Sequence, residues 1–212
     1  LGFHIVSQVG YMILGLGLLT VTGLAGAIFY LSHHILVKAT LYFVGDELER
    51  RNGTRDLREM DFLRSKGWAL KFVFVTAAFS LAGLPPFSGF FAKIGLFKAT
   101  YTSSDWFSLG VLVVASFYTL ASMLKIWRLS FQEKKAEGEP AAAPDYSVAR
   151  MWPMGVLVAA SLLLAINAGK VYGFAEDAAR QLLDTKAYAA RVLSVQGYPV
   201  PVPEAMKKEA AH

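Results

Sequence analysis

The chain of 212 residues contains no cysteine, so disulfide frameworks, iron–sulfur ligation and thiolate zinc sites are excluded at once. Charge is scarce as well. Only 17% of residues are charged, which excludes a disordered chain and most soluble globular folds. Also missing are G-x-S-x-G, a P-loop, G-x-G-x-x-G and H-E-x-x-H, so hydrolase, nucleotide-binding and zincin chemistry has nothing to stand on. No basic n-region or cleavage site accompanies the first apolar stretch. With Leu1 in place of a methionine, the chain reads as a piece of a longer polypeptide and not as a protein led by a signal peptide. What is plentiful is hydrocarbon: 55% of residues are hydrophobic. The excess of 21 Lys and Arg over 16 Asp and Glu then reflects loop topology rather than nucleic-acid binding.

A bilayer core of about 30 Å needs roughly 20 predominantly apolar residues per helix. By that measure five crossings are expected, at 3–19, 24–45, 68–101, 106–131 and 151–169. The third is too long for one ordinary helix, and Gly83-Leu84-Pro85-Pro86 interrupts it, giving a broken helix with halves 68–84 and 87–101. Loops 46–67 and 131–150 fall on one side and turns 20–23 and 102–105 on the other. The first pair holds Arg50, Arg51, Arg55, Arg58, Arg64, Lys66, Lys134, Lys135 and Arg150, while the second pair holds no Lys or Arg. Basic bias makes the long loops cytoplasmic and the C-terminal tail external. The six acidic and six basic residues of loop 46–67 read as a solvated face. Residues 1–169 thus form a transmembrane domain and 170–212 a surface appendage. In the latter, Ala175, Ala178, Ala179, Leu182, Ala189 and Leu193 share one helical face before Pro199, Pro201 and Pro203 extend the end. Gly10, Gly15, Gly17, Gly23 and Gly26 offer close helix contacts.

The informative positions are ionisable groups at membrane depth, where a charge costs at least about 2.5 kcal/mol. Tyr30, His34 and Lys38 follow at i, i+4 and i+8 on one face, with His33 turned about 100° away. Such an array is a ladder of proton donors and acceptors. The bland alternative is a pair of satisfied core histidines and a snorkelling lysine, but Lys38 lies about 10 Å from the end of its apolar run, too deep to snorkel easily. Lys93 stands on the half-helix after the break, with no acid in any predicted span to pair with it. Its alternative is a lysine in a water-filled crevice beside a proline kink. A broken helix frees carbonyls and exposes dipole ends, as at transporter ion sites. Lys71 and Lys98 read as snorkelling side chains, and Lys125 and Arg128 as interfacial anchors. Ser7, Gln8, Ser80, Ser88 and Asn167 read as interhelical hydrogen-bonding groups, and His4 either joins the pathway or borders what precedes it. Adjacent His33 and His34 cannot put both rings on one metal from a regular helix, so neither a metal site nor a cofactor is expected.

Three segments in fixed order carry a resemblance: SQVGYMILGLGLL, SHHILVKATLYFVG and LAGLPPFSGFFAK. They resemble the second half of the proton-translocating module shared by Mrp-type multisubunit cation/proton antiporters and the antiporter-like membrane subunits of respiratory complex I. LSLAGLPPFSGFFAK and QLLDTKAYAARVL are most similar to the D-type branch of the Mrp antiporters. The resemblance implies a module of fourteen helices built from two inverted five-helix repeats, each with a lysine on a broken helix. Residues 3–169 would be the last five helices, Lys93 the broken-helix lysine, Lys38 the central-axis lysine and His34 the relay histidine. Tyr30 stands where a complex I relative has a second histidine, which leaves open whether Tyr30, His33 or water fills that place. The first repeat, with its own lysine and a modulating glutamate, would lie upstream of Leu1. The implied function is exchange of Na+ or K+ for protons by a subunit, not an enzyme, of a hetero-oligomer in the bacterial inner membrane. The alternatives are a proton-pumping subunit of an NADH:quinone oxidoreductase or membrane hydrogenase, and an inert scaffold.

Overall fold

A computed structural model describes residues 2–53, 56, 68–129 and 148–195. Most of loop 46–67, nearly all of loop 131–150 and the proline-rich end from 196 lie outside the described residues. The described part is all helical: α1 (Gly2–Gly17), α2 (Val21–Asn52), α3 (Trp68–Ala82), α4 (Ser88–Thr102), α5 (Trp106–Trp127), α6 (Val148–Ile166), α7 (Ala168–Leu183) and α8 (Thr185–Val195). By length and apolarity Val21–Arg50 and Trp106–Trp127 suffice to cross a membrane, and Arg150–Ile166 with Ala168–Leu183 forms a further pair bent by 80°. His4–Gly17 and Trp68–Ala82 are shorter apolar helices.

Helix α2 is the axis of the bundle and packs against α1, α3, α4, α6 and α7. Thr20 caps its start by accepting a hydrogen bond from the Gly23 amide at 3.0 Å. Its end is not at residue 45, as the apolar run suggests. Glu47, Leu48, Glu49 and Arg50 are good helix formers, and the ladder continues until Gly53, at φ 66°, terminates it with a bond to the Glu49 carbonyl. At 32 residues the helix is about 48 Å long, so its charged end projects beyond an apolar layer of ordinary thickness. The extension also corrects the reading of this segment as wholly solvated. Glu47 is buried and takes two hydrogen bonds from Arg50, at 2.8 and 3.0 Å, because the i, i+3 spacing stacks the pair on one face.

Three residues link α1 to α2, so the two lie as antiparallel neighbours. They approach through Gly15 and Gly23: a Cβ on either would come within 2.7 Å of the other's carbonyl oxygen. Gly10 and Gly17, in contrast, face open space. Gly15→Ala should therefore destabilise the bundle by about 1–3 kcal/mol while Gly10→Ala is neutral, as read from melting temperatures in detergent. Equal melting of the two variants would exclude this close contact as a determinant of stability.

One half of the core joins Val37, Leu41 and Val44 to Phe74, Ala77, Leu81, Met123 and Val158. At the other end Leu24 and Ala25 pack on Ala175 and Ala179. Asp105 caps α5 by accepting the Ser108 amide at 3.0 Å, and the bonds from Ser108 hold this carboxyl below its usual range. Phe107, Phe117 and Tyr118 of α5 point outward, an apolar surface suited to hydrocarbon.

Two expectations for the C-terminal part need correction. The last crossing does not run straight to 169: the chain turns at Asn167, whose side-chain amide donates to the Leu163 carbonyl at 3.0 Å. The surface helix is two helices, because Asp184 accepts from the Ala187 amide and starts a new one. Ala175 and Ala179 are buried as expected, whereas Leu182 is exposed.

Candidate functional site

Two consecutive prolines shape the chemistry at the break. In a continuous helix the carbonyls of Leu81 and Ala82 would accept from residues 85 and 86, but both are prolines and have no N–H to give. Gly83, at φ 86°, turns the chain out of α3, and its amide and that of Leu84 close back on Phe79 and Ser80. The Ala82 carbonyl is left without a backbone donor. Lys93, in the second turn of α4, supplies one: its Nζ donates to that oxygen at 2.7 Å. The stem reaches there because Gly83 has no side chain. A Cβ at Gly83 would stand 2.7 Å from Lys93 Cδ. The ammonium also lies 5.4 Å from the centre of the Tyr11 ring, within cation–π range. Lys93 is 3% exposed, so a carbonyl dipole and a ring face compensate for much of the lost hydration.

The ladder on α2 is buried throughout: Tyr30, His33, His34 and Lys38 are all below a tenth exposed. His33, expected off the ladder face, is the most connected histidine. Its Nδ1 shares a hydrogen bond with Ser88 Oγ at 2.8 Å, and Ser88 contacts Ser80 and Ser161 at 3.1 and 3.0 Å. These hydroxyls join α2, α3, α4 and α6 at the first residue of α4. The Nε2 atoms of His33 and His34 are buried without a hydrogen-bond partner among the described residues, a rare condition for polar atoms. Lys38 Nζ lies 5.6 Å from the Tyr42 ring centre.

Tyr30 connects the ladder to α1. Its ring stacks on Tyr11 at 5.2 Å and meets the edge of His33 at 5.8 Å, and its hydroxyl donates to Gln8 Oε1. A polar seam then joins α1 to α5. His4 contacts Ser122 at 2.8 Å, Gln8 donates to Thr119 at 3.3 Å, and Tyr11 contacts Ser116 at 2.8 Å and donates to the Leu112 carbonyl at 3.1 Å. Gln8, Ser80 and Ser88 stand out in the sequence as interhelical hydrogen-bonding groups. Tyr11, Ser116, Thr119, Ser122 and Ser161 do not. A signal is nonetheless present on α1, where His4, Gln8 and Tyr11 follow at i, i+4 and i+7, and on α5, where Ser116, Thr119 and Ser122 follow at i, i+3 and i+6. Among the described residues no three His, Asp or Glu side chains gather as a metal site.

The structure buries Tyr30, His33, His34, Lys38 and Lys93, and links Lys93, Tyr11, Tyr30, His33 and Ser88 by direct contacts beside the break at Gly83, Pro85 and Pro86. Phenol, imidazole and amine are groups that exchange protons in general. Known proteins share both sequence and shape. Residues 1–119 match the family described as NADH:quinone oxidoreductase/Mrp antiporter, TM. The chain is 37% identical over 195 residues to the D-type subunit of the Na(+)/H(+) antiporter of Alkalihalophilus pseudofirmus, covering 91% of this chain and 39% of that protein. Among solved structures, a chain of the Mrp complex from Dietzia sp. DQ12-45-1b superposes with a TM-score of 0.75 at 32% identity, over 88% of this chain and 42% of that one. A chain of respiratory complex I from Thermus thermophilus with bound NADH shares the fold, with a TM-score of 0.67 at 21% identity over 82% of this chain and 37% of that one. The chain therefore spans about two fifths of the length of such relatives. With more than half its residues matched, it belongs to the NADH:quinone oxidoreductase/Mrp antiporter transmembrane family.

Proposed function

We propose that this chain is the second half of a proton-translocating subunit in a hetero-oligomeric Na+ or K+/proton antiporter of the bacterial inner membrane. The observation that carries the reading is Lys93, a buried amine held on the carbonyl that the break sets free. Lys93, His33 and Ser88 form the outer part of the relay, and Lys38 and His34 the inner part, with Tyr30 between the ladder and α1. Like charges repel, so a proton arriving at one amine favours release from the next. Domain 1–169 crosses the membrane five times in this reading, with α3 and α4 as one broken crossing. Loops 46–67 and 131–150 are cytoplasmic, and residues 170–212 form an amphipathic surface element and tail outside.

The test is cation-driven proton flux by the full subunit, assembled with its partners in proteoliposomes. Lys38→Met should lower the flux about tenfold or more, equivalent to about 1.4 kcal/mol on the barrier. Lys125→Met, at an exposed helix end, should leave it unchanged. Unaltered flux in Lys38→Met would make the ladder inert and the chain a scaffold. Co-purification with an iron–sulfur arm and quinone reduction would instead favour the proton-pumping oxidoreductase, whose fold is shared.

A further inference from the structure

Away from the polar region, a cavity of about 470 Å³ opens between α4 and α7. Phe91 and Ile94 form one wall, and Ala168, Gly169 and Gly173 the other. A Cβ added at Gly169 or Gly173 would meet nothing within 4 Å, so the second wall is stripped back to backbone. Tyr172 makes the floor. Its ring occupies the place of a side chain at Gly95, where a Cβ would stand 2.8 Å from it, and its hydroxyl donates to the Thr22 carbonyl at 3.4 Å.

Two opposite charges line this otherwise apolar cavity: Lys98 and Glu176. They are not ion-paired to each other. Both line the same cavity, near the end of α4 at Thr102, about 6 Å beyond Lys98, and one turn of α7 from Tyr172, which bonds Thr22 in the first turn of α2. Helix ends of a membrane-spanning bundle are where headgroups meet hydrocarbon.

We propose that this groove binds a zwitterionic phospholipid carrying a primary ammonium, with its phosphate on Lys98, its ammonium on Glu176 and one acyl chain along the apolar walls. The charge pattern selects the headgroup. A purely anionic lipid satisfies Lys98 but sets its negative charge against Glu176. A quaternary ammonium balances Glu176 but has no N–H to donate to a carboxylate. The inference goes beyond antiport and does not rest on it.

The experiment counts lipids retained by the full chain in its native membrane complex, by native mass spectrometry from micelles doped with phosphatidylethanolamine, phosphatidylcholine or phosphatidylglycerol. Phosphatidylethanolamine should be retained about threefold or more over either rival, as expected for partly exposed charge pairs. Glu176→Gln should erase the preference over phosphatidylglycerol, and Lys98→Gln should weaken retention of all three lipids, since each carries a phosphate. Gly169→Leu or Gly173→Leu should lower retention of all three while the melting temperature holds, since the added side chains enter open space. Equal retention of the three lipids by the unaltered chain would overturn the proposal, as would a Gly169→Leu chain that binds normally. No retention above bulk, the result if other parts of the longer protein fill the groove, would overturn it too.

Discussion

Lys93→Ala should abolish cation-driven proton flux, and Lys93→Arg should fail as well. The two variants fail for different reasons. Alanine removes the chargeable amine and leaves the buried Ala82 carbonyl without its donor, which costs about 1–3 kcal/mol of stability. Arginine keeps donors within reach of that carbonyl but stays charged at any physiological pH, so it accepts no proton that it can release. Lys93→Gln separates fold from function: it can still donate to the carbonyl but carries no charge. Its melting temperature should lie closer to the unaltered chain than that of Lys93→Ala, with transport equally lost. Flux measured in proteoliposomes, beside melting in detergent, reads both quantities. Normal antiport by the alanine and arginine variants would remove Lys93 from the relay.

The second large effect is expected at Gly89, one residue into α4. A Cβ there would lie 1.8 Å from the Ser80 carbonyl oxygen, 2.9 Å from its carbon and 3.0 Å from the His33 ring. No rotamer change relieves a collision with backbone, so α3 and α4 must separate in Gly89→Ala. Separation would also pull Ser88 from His33, Ser80 and Ser161. We expect a loss of about 3 kcal/mol or more, at the upper end for overpacking, together with loss of transport. Gly155→Ala, where nothing lies within 4 Å, is the control and should melt as the unaltered chain does. A Gly89→Ala chain that melts normally and transports would show that the halves of the broken helix need not touch.

The break and its lysine are legible in the sequence because their causes are local. Pro85 and Pro86 stand next to each other, so the loss of two backbone donors is written in the chain, and Lys93 is conspicuous in an apolar run. The end of α2 is less legible. Hydropathy changes at Asp46, but helix propensity does not, and hydrogen bonding follows propensity to Gly53. The corner at Asn167 escapes a sequence reading for the opposite reason. One side chain bonding back to Leu163 accompanies the turn inside a sequence that reads as continuous. The α5 partners of Gln8 and Tyr11 lie more than a hundred positions away, and no spacing rule within one helix reaches that far. Rotation about α2 alone sets His33 off the ladder. It joins the site because α4 and its Ser88 approach from that side.

The direction of the bonds along Tyr30, Gln8 and Thr119 has an electrical consequence. Tyr30 gives to the oxygen of Gln8, Gln8 gives through its nitrogen to Thr119, and Thr119 gives to the Ala115 carbonyl. Every hydrogen points the same way and the series stops on an oxygen that passes nothing on, while a neutral amide in the middle resists hopping. In the proposed relay, a proton reaching Tyr30 would therefore meet insulation toward α5, and the flank of the bundle that faces oil would not short-circuit a gradient.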